Sequence, residues 1–134
     1  MANPFLLNGL TLAYLGDAAY ELQIRKYLIR EGLTKPNQLH HHATQYVSAK
    51  AQARIIEEMQ EENLLSEEEE AIFKRGRNAK SHTKAKYADH QTYSASTGFE
   101  ALIGYVYLRG NQERFEALCQ WSIDYIEEKK DDSK

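Results

Sequence analysis

Two helix-compatible segments of this 134-residue chain each combine a carboxylate with a nearby glycine among apolar residues. Asp17 directly follows Gly16 in the first segment, and Glu100 precedes Gly104 in the second. A glycine inside a helix costs roughly 1 kcal/mol relative to alanine. A charge in apolar surroundings is also costly unless it is paired or binds a cation. Two helices that cross closely, with Asp17 and Glu100 meeting at a divalent metal, would account for all four residues.

Helical periodicity continues along almost the whole chain, and the composition argues against an all-β fold. Seven glycines and two prolines supply little material for the many tight turns that such a fold needs. The pattern therefore predicts an all-α fold of about six main helices, and the length predicts a single domain that spans residues 1–134. The predicted helices cover residues 9–31, 35–46, 49–63, 67–75, 93–109 and 112–128, followed by a frayed tail over residues 129–134.

Side chains that can cap helices mark several of these predicted boundaries. Thr34 and Ser48 are placed as N-caps, and Ser66 is placed in a capping box with Glu69. Gly32 is placed as the left-handed residue that ends the first helix. These local signals agree with the helical pattern.

The net charge of −3 conceals a division between an acidic and a basic segment. Residues 57–70 contain eight acidic residues and no lysine or arginine, whereas residues 74–86 contain six basic residues and no acidic one. Residues 76–91 lack apolar periodicity and are predicted to form a long surface loop, a kind of segment that is often functional. The basic stretch indicates a localised anionic partner. The alternative is a solvated loop whose charges partly neutralise the acidic helix before it.

The two carboxylates suit a weak magnesium site, because Mg²⁺ commonly takes one or two protein carboxylates and keeps several waters. On the predicted helices, Glu21 and Thr97 each lie one turn from a carboxylate, where they could hold the ligands or their waters in place. The residues alone leave an alternative open, in which a buried carboxylate is capped by tyrosine or serine hydroxyl groups.

Other reactive side chains point to no second site. Consecutive helical residues point about 100° apart, so His40, His41 and His42 cannot converge on one ion and are predicted to lie on the surface. Cys119 is predicted to be a small core residue, and a single cysteine fits a reducing compartment. The sequence has no signal-peptide pattern and no apolar stretch of roughly 20 residues, so we expect a cytoplasmic protein without membrane contact.

The two carboxylate segments also resemble a known nuclease family. Residues 14–22, YLGDAAYEL, resemble the signature helix of ribonuclease III nuclease domains, and residues 99–104, FEALIG, resemble their closing catalytic helix. Residues 47–53 and 74–81 extend the similarity to the Mini-ribonuclease III branch, as does a length that leaves no room for a double-stranded-RNA-binding domain. The resemblance covers nearly the whole chain, from about residue 7 to residue 126.

The resemblance implies a Mg²⁺-dependent endoribonuclease that hydrolyses double-stranded RNA, with Asp17 and Glu100 as catalytic residues and metal ligands. It further implies maturation of precursor large-subunit ribosomal RNA, with a large-subunit ribosomal protein as a possible partner. The larger enzymes of the family carry two more metal-binding carboxylates, at the positions of Ala13 and Thr97 here. This departure reduces four carboxylates to two and weakens the argument for a tight two-metal site.

The resemblance also implies a homodimer and an RNA-binding surface. The signature helix forms much of the family's interface, and the matching apolar positions here are Tyr14, Leu15 and Ala18. RNA affinity comes largely from neutralised phosphates, so the basic segment is expected to clamp RNA. The expected RNA-binding residues are Lys74, Arg75, Arg77, Asn78, Lys80, Lys84, Lys86 and Lys50, with Lys35 and Arg54 as weaker candidates.

Two hypotheses of another class stay open at this point. The chain could be a non-catalytic RNA- or ribosome-binding module that kept the fold after losing two carboxylates. It could instead be a helical protein-interaction domain whose active surface is the acidic segment 57–70.

Overall fold

Six α-helices and one short 3-10 helix account for most of the chain that the computed structural model describes, which is residues 3–79 and 89–132. The elements are the 3-10 helix Pro4–Leu6, α1 (Gly9–Arg30), α2 (Pro36–Val47), α3 (Ala49–Glu61), α4 (Glu67–Arg77), α5 (His90–Leu108) and α6 (Gln112–Asp132). These two ranges contain no β-strand. The predicted all-α fold with six main helices is therefore confirmed.

Most of the predicted caps are present. The Ser48 hydroxyl accepts a hydrogen bond from the Ala51 amide, and Ser66 and Glu69 make both bonds of the capping box. Gly32 lies just beyond α1 with a φ of 97°, as expected for a left-handed stop.

The N-cap of α2 was assigned to the wrong residue. It is Lys35 rather than Thr34, and Lys35 makes no side-chain capping bond. The first helical residue is Pro36, whose fixed φ and missing amide hydrogen suit that position and start the helix without a side-chain cap.

The other boundaries differ by a few residues. α5 begins at His90, three residues before the predicted start, because the Asp89 carboxylate accepts a hydrogen bond of 2.8 Å from the Thr92 amide and caps the helix there. α4 continues to Arg77, so the first residues of the predicted loop 76–91 are helical. α6 continues to Asp132, across residues that we predicted as part of a frayed tail. Residues 80–88 of the predicted loop lie outside the described residues.

α5 is the central helix of the fold. Its residues from Ser96 to Val106 are buried with the single exception of Glu100, and it packs against α1, α3, α4 and α6. A helix that is apolar on all sides needs neighbours on all sides, which explains this position. Phe99 packs edge-to-face on Tyr20 of α1, with ring centroids 5.0 Å apart.

Among the glycines of the described residues, the tightest backbone contacts lie at the crossing of α1 and α5. A methyl group added at Gly16 would overlap the backbone carbonyl of Glu100, and one added at Gly104 would overlap the carbonyl of Leu12. Both glycines are therefore required by the close approach of two backbones. This confirms the close crossing that was predicted from the paired glycines.

Some residues of the acidic segment 57–70 make contacts within the fold. Glu69 is buried, and its carboxylate accepts two hydrogen bonds of 2.9 and 2.7 Å from the Arg114 guanidinium on α6. Burial by itself would raise the pKa of Glu69, but the hydrogen bonds from Arg114 and Ser66 outweigh it and hold the pKa below its usual value. Glu68 accepts a hydrogen bond from Tyr105, and Glu70 accepts one from Gln60.

α6 covers the core next to α1, α2, α3 and α5. Phe115, Leu118, Cys119, Ser122 and Ile126 are buried along one face. Burial raises the pKa of the Cys119 thiol to about 12, which agrees with the predicted core role. Within the ranges described here, no helix has the length and apolar character needed to cross a membrane.

Candidate active site

The α1–α5 crossing places the two predicted carboxylates side by side. Asp17 follows Gly16 on α1, and Glu100 lies one turn before Gly104 on α5, so both project from the point where the backbones are closest. The Asp17 carboxyl lies within hydrogen-bonding reach of the Glu100 carboxyl. Asp17 is exposed and Glu100 is partly buried, so the pair opens to the surface at one end.

Glu100 is a strongly perturbed carboxyl group. Burial, the hydrogen bond and charge of Asp17 and, more weakly, the charge of Glu21 raise the pKa of Glu100 from 4.5 to about 8. Two carboxylates this close cannot both carry a full charge cheaply unless a cation lies between them. Without a cation, a protonated Glu100 can donate its hydrogen to the Asp17 carboxylate.

Gln52 on α3 is a member of the site that the sequence analysis did not identify. Its side chain is 1% exposed and lies within hydrogen-bonding reach of the Glu100 carboxyl, which acts against the rise in the pKa of Glu100. The other end of the same amide, Oε1, accepts a hydrogen bond of 2.6 Å from the Ser96 hydroxyl. The bond from Ser96 fixes the amide with its N–H groups toward Glu100.

A signal for Gln52 is present in the sequence. Gln52, Ile55, Ile56 and Met59 share the buried face of α3 at helical spacing, and Gln52 is the only polar residue among the four. A polar side chain on an apolar face must find a partner inside the protein. The sequence cannot state that the partner is Glu100, because α3 and α5 are distant along the chain.

The two residues predicted to support the carboxylates lie close to them but bond elsewhere. Glu21 makes an ion pair of 2.7 Å with Arg25 on the same helix face, and its charge reaches Glu100 only at a distance. The Thr97 hydroxyl donates a hydrogen bond of 3.0 Å to the Tyr93 carbonyl one turn earlier in α5. Among the described residues, the group that bonds Glu100 beside Asp17 is therefore Gln52.

Structural carboxylates elsewhere in the chain have the opposite character. Glu127 accepts hydrogen bonds from Tyr46 and, at 2.9 Å, from Tyr27. Burial would raise the pKa of Glu127, but these two hydrogen bonds outweigh it and the pKa is lowered. A carboxylate capped by tyrosines was the alternative considered for Asp17 and Glu100. That arrangement occurs at Glu127, whereas the partner of Glu100 is a second carboxyl.

The donor set suits a hard cation that keeps part of its water shell. Asp17 and Glu100 supply carboxylate oxygens, and the open end of the pair leaves room for waters. No group of three or more histidine, cysteine, aspartate or glutamate side chains in residues 3–79 and 89–132 is arranged to hold a metal. The site therefore fits Mg²⁺ bound through two carboxylates and not a closed cage of protein ligands.

An exposed apolar stripe runs along α1 beside Asp17. Tyr14 is 85% exposed, Ala18 is exposed and Leu22 is 59% exposed, and these positions lie one turn apart on one face. Leu15 is partly buried at the edge of the stripe. Tyr14 and Ala18 therefore do not pack inside the described part of the chain.

The basic end of α4 lies beside the turn of α5 that carries Glu100. Gly76 packs against Ala101 and the Thr97 carbonyl, which brings this end of α4 close to the turn that carries Glu100. The side chains of Lys74, Arg77 and Asn78 are exposed there.

Arg75 is used differently from its neighbours. Its guanidinium donates hydrogen bonds to the carbonyls of Phe5 and Leu7, and it lies 4.9 Å from the centroid of the Phe5 ring. It thus ties the N-terminal 3-10 helix to α4. Lys80, Lys84 and Lys86 lie outside the described residues, and Lys50 and Arg54 are exposed on α3.

Comparison with known proteins places the chain among ribonucleases. Residues 10–111, which include Asp17, Gln52 and Glu100, match the Ribonuclease III domain family. The chain is 58% identical to Mini-ribonuclease 3 of Streptococcus pneumoniae over 95% of its own length and 99% of that protein. It is 57% identical to Mini-ribonuclease 3 of Enterococcus faecalis over 91% of its own length and 92% of that protein.

The fold is also similar to that of a solved structure. A Fusobacterium nucleatum protein determined by X-ray crystallography superposes with a TM-score of 0.77 at 34% sequence identity. The match covers 89% of this chain and 93% of that one.

The perturbed Glu100 gives a prediction for stability in the absence of divalent metal. Between pH 4.5 and about pH 8, Glu100 is protonated in the folded state and ionised in the unfolded state. The free energy of unfolding therefore falls as the pH rises through this window. Glu100→Gln removes this contribution. In urea unfolding with EDTA, the variant should gain stability relative to wild type by about 1 kcal/mol per pH unit across the window. Parallel stability curves for the two proteins would contradict the assignment.

Proposed function

Because this chain belongs to the ribonuclease III family, within its Mini-ribonuclease III branch, we propose that it is a Mg²⁺-dependent endoribonuclease that cleaves double-stranded RNA. The observation that carries the proposal is the pair of neighbouring carboxyl groups, Asp17 and Glu100, at the α1–α5 crossing. Two carboxyl groups held this close, one of them partly buried, are expensive in a purely structural role, and they are useful where a cation binds.

The proposed metal ligands are Asp17 and Glu100. When bound, Mg²⁺ supplies positive charge that polarises a phosphodiester and lowers the pKa of a bound water. Loss of the proton from Glu100 accompanies binding, because a hard cation requires the ionised carboxylate. Gln52 has the role of holding the Glu100 carboxylate in one orientation, since its own amide is fixed by Ser96.

The proposed RNA surface includes the basic end of α4. Lys74, Arg77 and Asn78 are exposed next to the turn that carries Glu100, so phosphates bound there would lie near the carboxylates. A-form RNA presents a regular array of phosphates and 2′-hydroxyls, which such residues can hold without reading bases. Arg75 supports this surface by anchoring α4 to the carbonyls of Phe5 and Leu7. The lysines at positions 80, 84 and 86 remain proposed RNA contacts from sequence.

The proposed active form is a homodimer built on the stripe of Tyr14, Ala18 and Leu22, with Leu15 at its edge. An aromatic ring that is 85% exposed in one subunit is readily explained if a second subunit covers it. The two strands of a duplex are related by twofold axes, so a dimer with twofold symmetry can present one carboxylate pair to each strand.

The finer parts of the proposal rest on the family alone. We propose that the substrate is precursor large-subunit ribosomal RNA in the cytoplasm and that residues 1–134 act as one domain. A large-subunit ribosomal protein that shapes the RNA is a further proposed partner. The chain's own fold carries no observation that favours the non-catalytic alternative over the nuclease.

The carboxylate pair is tested by amide substitutions. Asp17→Asn and Glu100→Gln should each reduce cleavage of a perfect RNA duplex at saturating Mg²⁺ by roughly a thousandfold or more, since an amide keeps the volume but loses the charge. RNA binding should be retained. Asp124→Asn, an exposed carboxylate on α6, is the matched control and should cleave normally. Near-normal turnover by either carboxylate variant would remove that residue from the ligand set.

The orienting role of Gln52 predicts a graded effect. Gln52→Leu should keep the fold, reduce cleavage roughly 10- to 100-fold and raise the Mg²⁺ concentration needed for half-maximal rate. Gln60→Leu removes a glutamine from the same helix that bonds Glu70 instead, and its Mg²⁺ dependence should be unchanged. An equal loss in rate with an unaltered Mg²⁺ requirement would mean that Gln52 does not act through the metal ligands.

The dimer is tested at an exposed position, so that the fold of one subunit is not at risk. Ala18→Arg should give a folded monomer in light scattering at micromolar concentration, with cleavage greatly reduced, because the added charge would be buried against its symmetry mate. Gln120→Arg on the exposed face of α6 should stay dimeric and active. A monomeric wild type with full activity on duplex RNA would defeat this part of the model.

A further inference from the structure

A groove with a strongly positive lining lies between the beginning of α3 and the end of α6. Its volume is about 400 Å³, and among the described side chains its walls carry four cations and no carboxylate. The cations are Lys50, Arg54, Lys129 and Lys130. Such a concentration of positive charge on a chain with a net charge of −3 marks a surface for an anionic partner.

Two of these cations are available for a ligand. Lys50 and Arg54 are exposed, and neither forms an ion pair with any residue in the described ranges. They lie four residues apart on α3, which puts them about 6 Å apart along one face of the helix. The Lys129 ammonium, on the opposite wall, lies 5.5 Å from the centroid of the Tyr125 ring.

The wall also contains an unsatisfied acceptor. The side-chain Oε1 of Gln45 on α2 is buried and receives no hydrogen bond from the described part of the chain. A buried carbonyl without a donor is costly, and native structures contain few of them. A ligand that brings hydroxyl donors as well as negative charge would match this wall better than a simple anion.

The helix on which the groove begins also reaches the carboxylate pair, but through a different face. Gln52 of α3 lies beside Glu100, whereas Lys50 and Arg54 lie about half a helical turn away around α3 and are exposed. α3 meets α5 at Ser96, whereas α4 meets it at Gly98 and Ala101, on the other side of Glu100 around the helix. The groove and the basic end of α4 are therefore two separate basic surfaces.

We propose that this groove binds the sugar–phosphate backbone of the RNA, as a second contact surface in addition to the basic end of α4. The inference rests on the proposed nuclease function, because it assigns the groove to the same substrate. Phosphates lie against Lys50 and Arg54, and the Gln45 amide accepts a hydrogen bond from a ribose hydroxyl. An acidic protein segment would also find the cations, but RNA is the polyanion that the proposed function already brings to this protein, and it carries both phosphates and hydroxyl donors.

The test measures binding of a perfect RNA duplex in EDTA, where no cleavage occurs, over a series of salt concentrations. Lys50→Gln combined with Arg54→Gln should weaken binding roughly tenfold and reduce the salt slope by about one to two units. The matched control removes two exposed cations from another groove, Lys26→Gln with Arg30→Gln, beside Glu116. The control should bind RNA with nearly the wild-type affinity and slope.

Gln45→Leu gives an independent readout. A lost contact to a neutral hydroxyl should weaken binding a few-fold without any change in the salt slope, in contrast to the loss of a cation. An unchanged affinity would withdraw Gln45 from the site. The groove proposal is overturned if the Lys50→Gln, Arg54→Gln protein binds RNA with the same affinity and the same salt slope as the control.

The outcomes separate this inference from the proposed nuclease function. A wild-type protein that cleaves duplex RNA with Mg²⁺, combined with a double variant that binds like the control, defeats the groove alone. A wild-type protein that neither binds nor cleaves the duplex defeats the nuclease proposal, and the groove proposal with it. Binding of an acidic peptide that depends on Lys50 and Arg54, with RNA affinity unaffected, would assign the groove to a protein partner instead.

Discussion

The close crossing of α1 and α5 is the constraint on which the rest of the structure depends. Gly16 and Gly104 allow the two backbones to approach to a distance that any side chain would prevent. This approach places Asp17 next to Glu100. It leaves the face of α1 that is turned away from α5, with Tyr14, exposed. The close packing of α1 on α5 thus positions both the carboxylate pair and the surface proposed for the dimer. It also explains why two glycines persist inside helices despite their conformational cost.

Three partly or fully buried glutamates show how the surroundings decide what a carboxylate does. Glu69 is held by Arg114 and Glu127 by two tyrosines, and in both cases hydrogen bonds outweigh burial and the pKa is lowered. These residues join helices to one another. Glu100 faces a second carboxyl group, and burial raises its pKa to about 8. Among these three glutamates, only Glu100 has a raised pKa, and it lies at the centre of the proposed nuclease site.

The surface around the carboxylate pair suggests how a small helical fold can hold a long polyanion. The basic end of α4 and the groove beginning at Lys50 are separate basic surfaces on different helices, and the two proposals together give the RNA backbone two contacts with the fold. Three of the eight acidic residues in segment 57–70 make internal contacts: Glu68 with Tyr105, Glu69 with Arg114, and Glu70 with Gln60 of the same segment. Of these contacts, the ion pair with Arg114 offsets the negative charge of Glu69.

The sequence by itself determined the helices, the caps at Ser48 and Ser66, the paired glycines and the two carboxylates, because these features depend on neighbours within one or two helical turns. The sequence also indicated the family, because the motifs on which the resemblance rests are local. Only the tertiary structure decided that Gln52 bonds Glu100, that Arg75 anchors the N-terminal segment, and that Lys50 and Lys129 line the same groove. Those contacts join residues far apart in the chain, and their geometry is set by how the helices pack. The sequence shows that a polar side chain needs a partner, whereas the packed fold decides which partner it meets.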